Sequence, residues 1–200
     1  MKKTICLMAM LGLLFAFSGN VLASGGVEGN INLLIGQKFV NDDAAFGFEY
    51  YEVEDQPQLG MMFDIKPAGF PIAFAFDLLG SEEESQEFLD PDFGYYRATG
   101  RTREIDLGIR FYTPPHIIRG YFGGGLALVE GELSLDFYGD EISEEDDEVG
   151  FWVNGGFMCT LARHLNLGID LRYSEAEVEL LGEDVDVGGV SLSGFVGFHF

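Results

Sequence analysis

The sequence predicts an all-β fold, an eight-stranded antiparallel up-and-down β-barrel that crosses a membrane. Three observations predict it: short segments with period-two alternation, connections that alternate in length, and acidic residues gathered in the long connections. The chain has 34 Asp and Glu against 11 Lys and Arg, for a net charge of −23, yet 47% of its residues are hydrophobic. That hydrophobic fraction excludes a disordered acidic chain, and the acidic excess excludes general nucleic-acid binding.

The first residues have the layout of a secretory signal peptide. Two lysines precede an apolar run over residues 5–17, and the small residue Ala23 marks a cleavage site. The apolar run is short for a membrane-spanning helix, which needs about 20 residues. We therefore predict a signal peptide over residues 1–23 and a barrel domain over residues 24–200.

Eight segments alternate apolar and polar residues, as strands with two different faces do. In the clearest of them, Ile105 and Leu107 alternate with Glu104 and Asp106. One face is composed of Ile, Leu, Phe and Val, as contact with lipid requires, and the other mixes small residues with isolated charges. Segments of this length match the roughly 9–11 residues that a tilted strand needs to cross a bilayer. The segments are residues 29–39, 58–66, 71–79, 103–112, 118–129, 149–161, 165–173 and 190–200.

Two positions depart from this simple alternation. The fifth segment changes its apolar face near Glu130 and Gly131, and we expect a β-bulge there before Leu133 resumes the pattern. Trp152 falls on the polar face of the sixth segment, which the alternation does not explain.

The connections alternate between short and long. The short ones are residues 67–70, 113–116 and 162–164, and the long ones are residues 40–56, 81–100, 131–148 and 174–187. Short turns at one end and long loops at the other are typical of outer-membrane barrels, whose long loops face the outside of the cell. An even number of strands then places both termini on the periplasmic side.

The long loops carry most of the charge. They hold 27 of the 34 acids and a single base, Arg97, so their net charge is −26. Carboxylates suit Ca²⁺ or Mg²⁺, but charge runs more often form solvated, mutually repelling loops. We favour solvated loops with loosely bound cations that bridge to anionic lipid headgroups. The candidate metal ligands in the densest acidic run are Asp140, Glu141, Glu144, Glu145, Asp146 and Asp147.

Charged residues on the second face would meet inside the barrel. Because an unpaired buried charge is costly, we expect them to form an ionic network. That network could line a narrow passage, but the interior of eight strands is just wide enough for side chains, which favours a plugged lumen. The predicted members are Lys38, Asp64, Asp77, Glu104, Asp106, Arg110, Arg119, Asp170 and Arg172.

The sequence offers no catalytic constellation. His116 and His164 lie in short turns and His199 is next to the C-terminus, so the long loops contain no histidine for a Ser-His-acid site. Cys159 is the single cysteine of the predicted mature chain, which excludes an internal disulfide. We predict no catalytic residues and no cofactor beyond loosely bound Ca²⁺ or Mg²⁺.

Several stretches resemble small Gram-negative outer-membrane β-barrels of the OmpA/OmpW type. They are NINLLIGQKF at 30–39, FDLLGS at 76–81, GGGLA at 123–127 and LGIDLRY at 167–173. The end, FVGFHF at 195–200, resembles the terminal signal that the barrel assembly machinery reads, through Val196, Phe198 and Phe200. The resemblance implies location in the outer membrane, assembly by that machinery and contact with membrane lipid and lipopolysaccharide. It implies no shared active site.

Three functions are compatible with such a barrel. The leading one is a structural or surface-interaction role in the cell envelope. The second is a narrow pore for small or apolar solutes, and the third, a lipid-modifying enzyme, finds little support in the positions of the histidines.

Overall fold

The computed structural model describes residues 26–39, 55–84, 88–90, 94–114, 116–137, 140–180 and 183–200. The predicted signal peptide lies outside the described residues, and so do residues 40–54 of the first long connection. The strands are β1 (Val27–Phe39), β2 (Asp55–Pro67), β3 (Ile72–Glu84), β4 (Phe88–Asp90), β5 (Gly94–Tyr112), β6 (Ile118–Phe137), β7 (Asp140–Leu161), β8 (Leu165–Glu175), β9 (Glu177–Leu180), β10 (Glu183–Asp186) and β11 (Gly189–His199). Within these ranges, no helix is long and apolar enough to cross a membrane.

Eight strands form a closed antiparallel barrel, which confirms the predicted fold. The pairing order is β3-β2-β1-β11-β8-β7-β6-β5, and β3 pairs with β5 to close the ring. Following paired residues once around the barrel returns to β1 ten residues further along, from Gly29 to Phe39. The path runs through Gly29, Ile65, Phe74, Ile109, Gly124, Val153, Tyr173, Val190 and Phe39. Such a stagger requires strands that tilt strongly against the barrel axis.

The two faces of the wall differ as the alternation predicts. Large apolar side chains such as Ile35, Leu126 and Ile169 are exposed on the outside, and they form a belt around the barrel. Phe111 and Phe122 stack within this belt with ring centres 4.9 Å apart. Inward positions carry alanine, serine, asparagine and charged residues that are almost completely buried. This is the reverse of a water-soluble barrel, and it fits a wall that faces lipid.

The expected β-bulge near Glu130 and Gly131 is wrong. The pairs between β5 and β6 run in one unbroken register from Tyr96–Phe137 to Tyr112–Tyr121. Strand β6 therefore does not change face. Its outward positions change chemistry instead, from Leu126 to Glu130, because the strand continues beyond the apolar belt.

The third predicted loop is also a β-structure for most of its length. Residues 131–137 of β6 pair with residues 140–146 of β7 in an antiparallel hairpin, which we call the acidic hairpin. At about 3.3 Å per residue, it extends roughly 20 Å along the strands. The predicted loop is thus a regular hairpin over most of its length, because backbone hydrogen bonds continue the two strands through the acidic sequence, while Glu144 and Glu145 remain exposed. The fourth connection likewise contains a short hairpin of β9 and β10.

Candidate functional site

The centre of the lumen is built around the carboxylate of Asp77. The Nη2 atom of Arg110 donates a 2.7 Å hydrogen bond to Asp77 Oδ2, and Nη2 of Arg172 donates to the same oxygen. Arg110 also reaches Asp64 Oδ2 at 3.5 Å through Nη1. These four side chains are 0–2% exposed, so the charges neutralise one another within the barrel rather than in water.

Neutral donors complete the hydrogen bonds of the two flanking carboxylates. Asp64 accepts a hydrogen bond of 2.5 Å from the hydroxyl of Tyr112 and one of 2.7 Å from the Nδ2 of Asn30. Asp170 accepts a hydrogen bond of 2.7 Å from the Tyr121 hydroxyl and one of 2.8 Å from Asn154 Nδ2. These donors matter because the centre holds more carboxylates than cations.

The buried charges of the centre are five carboxylates and three cations. They are Asp64, Asp77, Glu104, Asp106 and Asp170, with Lys38, Arg110 and Arg172. Because an excess of buried negative charge is costly, tyrosine and asparagine donors are needed to offset it. Sequence reasoning missed these donors, since an uncharged residue on the polar face looks like simple filling.

Trp152 occupies the middle of this network and is completely buried. The Arg172 guanidinium lies 4.9 Å from its ring centre and that of Arg110 lies 5.8 Å away. Arg172 also pairs with Asp106, and its Nε lies 3.7 Å from Asp170 Oδ2. The sequence alone left the position of Trp152 on the polar face unexplained. That position indicated the role that the structure shows, since the indole fills the lumen and contacts two cations.

At the end of the barrel that carries the long connections, Lys38 contacts the chain between β10 and β11. The Nζ of Lys38 donates a 2.6 Å hydrogen bond to the carbonyl of Val187 and lies 3.9 Å from Glu104 Oε2. Val187 and Val178 are buried in one apolar cluster with Trp152. Through Trp152, this cluster adjoins the ionic network.

Arg119 lies at the edge of this network, nearer the end of the barrel with the short turns. Among the described residues, its Nη2 donates to Thr160 Oγ1 at 2.9 Å, and its guanidinium lies 5.8 Å from the ring centre of Tyr112. Asn166 continues the polar layer by donating to Asn30 and Asn32 at 2.9 and 3.1 Å. The structure therefore brings eight of the nine predicted residues together, and Arg119 joins them only indirectly, through Tyr112 and the asparagine layer.

The candidate metal ligands lie on strand β7, at its start in the acidic hairpin. Glu144 and Glu145 are exposed, and Asp146 and Asp147 are half-buried. The side chains of Asp140 and Glu141 lie outside the described part of the structure. Among the side chains that are described, no three His, Cys, Asp or Glu gather to hold a metal ion.

The three residues of the expected assembly signal lie on the outside of the last strand. Val196, Phe198 and Phe200 are all exposed. Backbone hydrogen bonds of 2.9 and 3.0 Å join Phe200 to Gly29, and the ring of His164 stacks on Phe198 with centres 5.2 Å apart. The C-terminal residues therefore close the seam between the first and last strands.

Solved structures with this architecture are bacterial outer-membrane proteins. Ail, the attachment invasion locus protein of Yersinia pestis, solved with the heparin analogue sucrose octasulfate, aligns with a TM-score of 0.61 and 14% identity over 87% of this chain and 99% of Ail. OprG from Pseudomonas aeruginosa gives a TM-score of 0.55 and 15% identity over 88% of this chain and 97% of OprG. A major outer membrane protein from Thermus thermophilus gives a TM-score of 0.52 and 9% identity, over 88% of this chain and 100% of that protein.

Sequence comparison adds no closer relationship, because no protein-family model and no curated protein matches the chain. At identities of 9–15%, the similarity to the solved structures is one of fold. Together with the closed ring of eight strands, it shows that this chain has the fold of the small bacterial outer-membrane β-barrels of the OmpA/OmpW type.

Proposed function

We propose that this chain is an integral outer-membrane protein with a closed lumen, and that its role is structural or surface-interacting and not catalytic. The observation that carries the proposal is the filled interior. Arg110, Arg172, Asp77 and Trp152 meet at the barrel centre with 0–2% exposure. Since eight strands leave room for little more than side chains, this layer blocks a continuous passage.

The exposed apolar belt supports the membrane location. Its side chains would meet the acyl chains of the outer membrane, and the acidic hairpin would project into the layer of lipopolysaccharide headgroups. We propose the barrel assembly machinery as the partner that inserts the chain into the membrane. The exposed Phe198 and Phe200 would be available to it during insertion.

Histidine positions support a non-enzymatic role. His116 and His164 are exposed on turns at the periplasmic end, and His199 binds Asn30 Oδ1 at 3.0 Å near the C-terminus. An acyl-transfer or hydrolytic site needs a base within reach of a nucleophile, and these histidines are already engaged in the seam or isolated on turns.

Single-channel recording in planar bilayers tests the closed lumen. We expect the refolded protein to insert without steady conductance, whereas an open porin recorded in the same bilayer gives stepwise currents. Steady openings whose conductance increases with salt concentration would instead establish the narrow pore. The excess of buried carboxylates would make such a pore cation-selective.

The acidic hairpin is the proposed place for loosely bound Ca²⁺ or Mg²⁺. Its exposed carboxylates would exchange cations with the solvent and bridge them to anionic headgroups, without a preformed cage. Calorimetric titration with calcium should show weak binding that decreases when Glu144 and Glu145 are both replaced by glutamine. Equal binding by the wild type and this double variant would place the cations elsewhere.

A further inference from the structure

Arg119 differs from the other buried cations of the barrel because it has no carboxylate partner. Its side chain is only 8% exposed, yet among the described residues it forms no ion pair. The four other buried cations of the described chain each pair with an Asp or Glu, and they are Lys38, Lys66, Arg110 and Arg172. Because a buried charge without a counter-charge is costly, an anion bound at Arg119 would stabilise the barrel.

The described neighbours of Arg119 are neutral. Its Nη2 donates to Thr160 Oγ1 at 2.9 Å, and that hydroxyl donates in turn to Asn166 Oδ1 at 2.9 Å. The ring centre of Tyr112 lies 5.8 Å from the guanidinium. Since a guanidinium has five N–H donors, one hydrogen bond to a hydroxyl leaves donors for a ligand.

The ionic network does not supply the missing counter-charge. Asp64, the carboxylate that receives the Tyr112 hydroxyl, also accepts a 2.7 Å hydrogen bond from Asn30 and lies 3.5 Å from Arg110. Its charge is therefore offset within the network. Arg119 meets the ring of Tyr112, so that this ring would separate an anion at Arg119 from Asp64.

Arg119 lies where a ligand can reach it from the end of the barrel with the short turns. It is the second residue of β6 and shares the inward face of that strand with Tyr121. Thr160 and His199 belong to the same inward layer, and both are half-buried rather than buried. The layer is thus partly open to solvent at this end.

The electrostatic surroundings of this end admit an anion, although the chain as a whole has a net charge of −23. The long connections hold 27 of the 34 acids, whereas the three short turns contain no Asp or Glu and carry Arg163, His116 and His164. The eleven residues of β6 from Arg119 to Val129 alone extend roughly 35 Å along the strand. The Debye length at physiological ionic strength is about 8 Å, so the acidic connections do not repel an anion at the opposite end.

We propose that Arg119 binds a free phosphate, either inorganic phosphate or a small phosphate ester, at the periplasmic mouth of the barrel. The remaining N–H groups of Arg119 donate to the phosphate oxygens, which match the planar donor set of arginine, while Thr160 positions the guanidinium. Because Arg119 faces inward, the ligand is a free ion and not the headgroup of a membrane lipid. The inference rests on the proposed outer-membrane orientation, in which the short turns face the periplasm.

NMR titration of the refolded protein in a phosphate-free, non-ionic detergent tests the proposal. The observed signals are the arginine Nε–H groups and the backbone amide of Thr160, and the probes are inorganic phosphate, chloride and phosphatidylglycerol added to the micelles. We expect saturable shifts of the Arg119 and Thr160 signals with phosphate at constant ionic strength. Equal shifts with chloride would overturn the proposal, and so would shifts with phosphatidylglycerol in the absence of any with phosphate.

Two substitutions at Arg119 separate its charge from its geometry. Arg119→Gln removes the cation and should weaken phosphate binding at least about tenfold, since it removes charge-assisted hydrogen bonds. Arg119→Lys keeps the charge without the planar donor set and should weaken binding by a smaller factor. Arg163→Gln is the matched control for lost charge, because Arg163 is exposed in the short turn between β7 and β8 at the same end. Equal affinity in Arg119→Gln and Arg163→Gln would overturn the proposal.

Urea unfolding in lipid vesicles gives a second measurement. A ligand that binds only the folded state stabilises it, so phosphate should raise the urea midpoint of the wild type and of Arg163→Gln but not that of Arg119→Gln. A phosphate effect of the same size in all three proteins would contradict the site. If Arg119→Gln fails to fold, Arg119→Lys takes its place and should show a reduced phosphate effect.

Heat-modifiable gel mobility shows separately whether each protein inserts into the vesicles. Failure of the wild type to insert would contradict the proposed function itself. Normal insertion without any response to phosphate would contradict the phosphate site alone.

Discussion

The guanidinium of Arg172 lies 4.9 Å from the ring centre of Trp152, inside the barrel and out of contact with water. The same guanidinium pairs with Asp77, which also receives Arg110. One aromatic ring and one carboxylate therefore hold two arginines from β5 and β8, on different parts of the wall. The ionic network lies inside the barrel and links strands that are not neighbours.

Replacing Trp152 with alanine should destabilise the barrel by about 3–5 kcal/mol, because it leaves a cavity and removes the ring between two cations. Urea unfolding in lipid vesicles, followed by heat-modifiable gel mobility, measures the loss. Phe151→Ala is the matched control, since Phe151 is the next residue and is exposed on the lipid-facing side. An equal loss in both variants would contradict the role assigned to Trp152.

Asp77→Asn should cost about 3 kcal/mol or more of unfolding free energy. The substitution replaces the charged oxygen that two fully buried arginines share with a neutral amide, so each arginine loses a charge-assisted hydrogen bond, although Arg110 keeps Asp64 and Arg172 keeps Asp106. Glu82→Gln, on the same strand, removes a carboxylate from the half-buried Arg101 and should have a much smaller effect, because Glu82 itself is exposed. Urea midpoints of the two variants give the comparison, and similar midpoints would show that the lumen network adds little stability.

Deletion of Phe200 should sharply reduce assembly of the barrel in cells. In detergent the purified variant should still refold, because the deletion removes only the last backbone pair, with Gly29. Heat-modifiable mobility of membrane fractions and of refolded protein measures the two cases. Normal assembly in cells would refute the terminal signal, and failure in both settings would assign Phe200 a purely structural role.

The carboxyl of Glu82 should titrate at lower pH than an ordinary glutamate. A hydrogen bond from Arg101 lowers the pKa of Glu82 in the folded barrel. This ion pair therefore stabilises the fold at neutral pH, and its contribution is lost as the pH falls through the lowered pKa. Carboxyl carbon NMR shifts follow the titration, and Arg101→Gln should move it upward. A titration that Arg101→Gln leaves unchanged would contradict the assignment.

The sequence predicted the fold because lipid imposes a simple rule on each outward position. Residues such as Ile105 and Leu107 must be apolar there, whereas their neighbours Glu104 and Asp106 face inward. The expected bulge at Gly131 failed because this rule stops where the belt ends. Beyond it the outer face can carry Glu130 without any change in pairing.

The candidate site was predictable only in part. Charges on the inward face identified Asp77, Arg110 and Arg172, since a charge in a small barrel must find a partner. The pairing of these three residues, and the position of Arg119 at the edge of their network, depend on the ten-residue stagger. The stagger sets the height of each strand relative to the others. No local pattern contains that stagger.

The sequence by itself determined the barrel, its two faces and the separation of acidic connections from a nearly neutral wall. Periodicity and connection length are local properties that a single strand or turn already expresses. Only the tertiary structure decided that Trp152 lies inside the barrel between two arginines and that the Nζ of Lys38 donates to the carbonyl of Val187. Each of these contacts joins residues from different strands, so it exists only once the ring has closed.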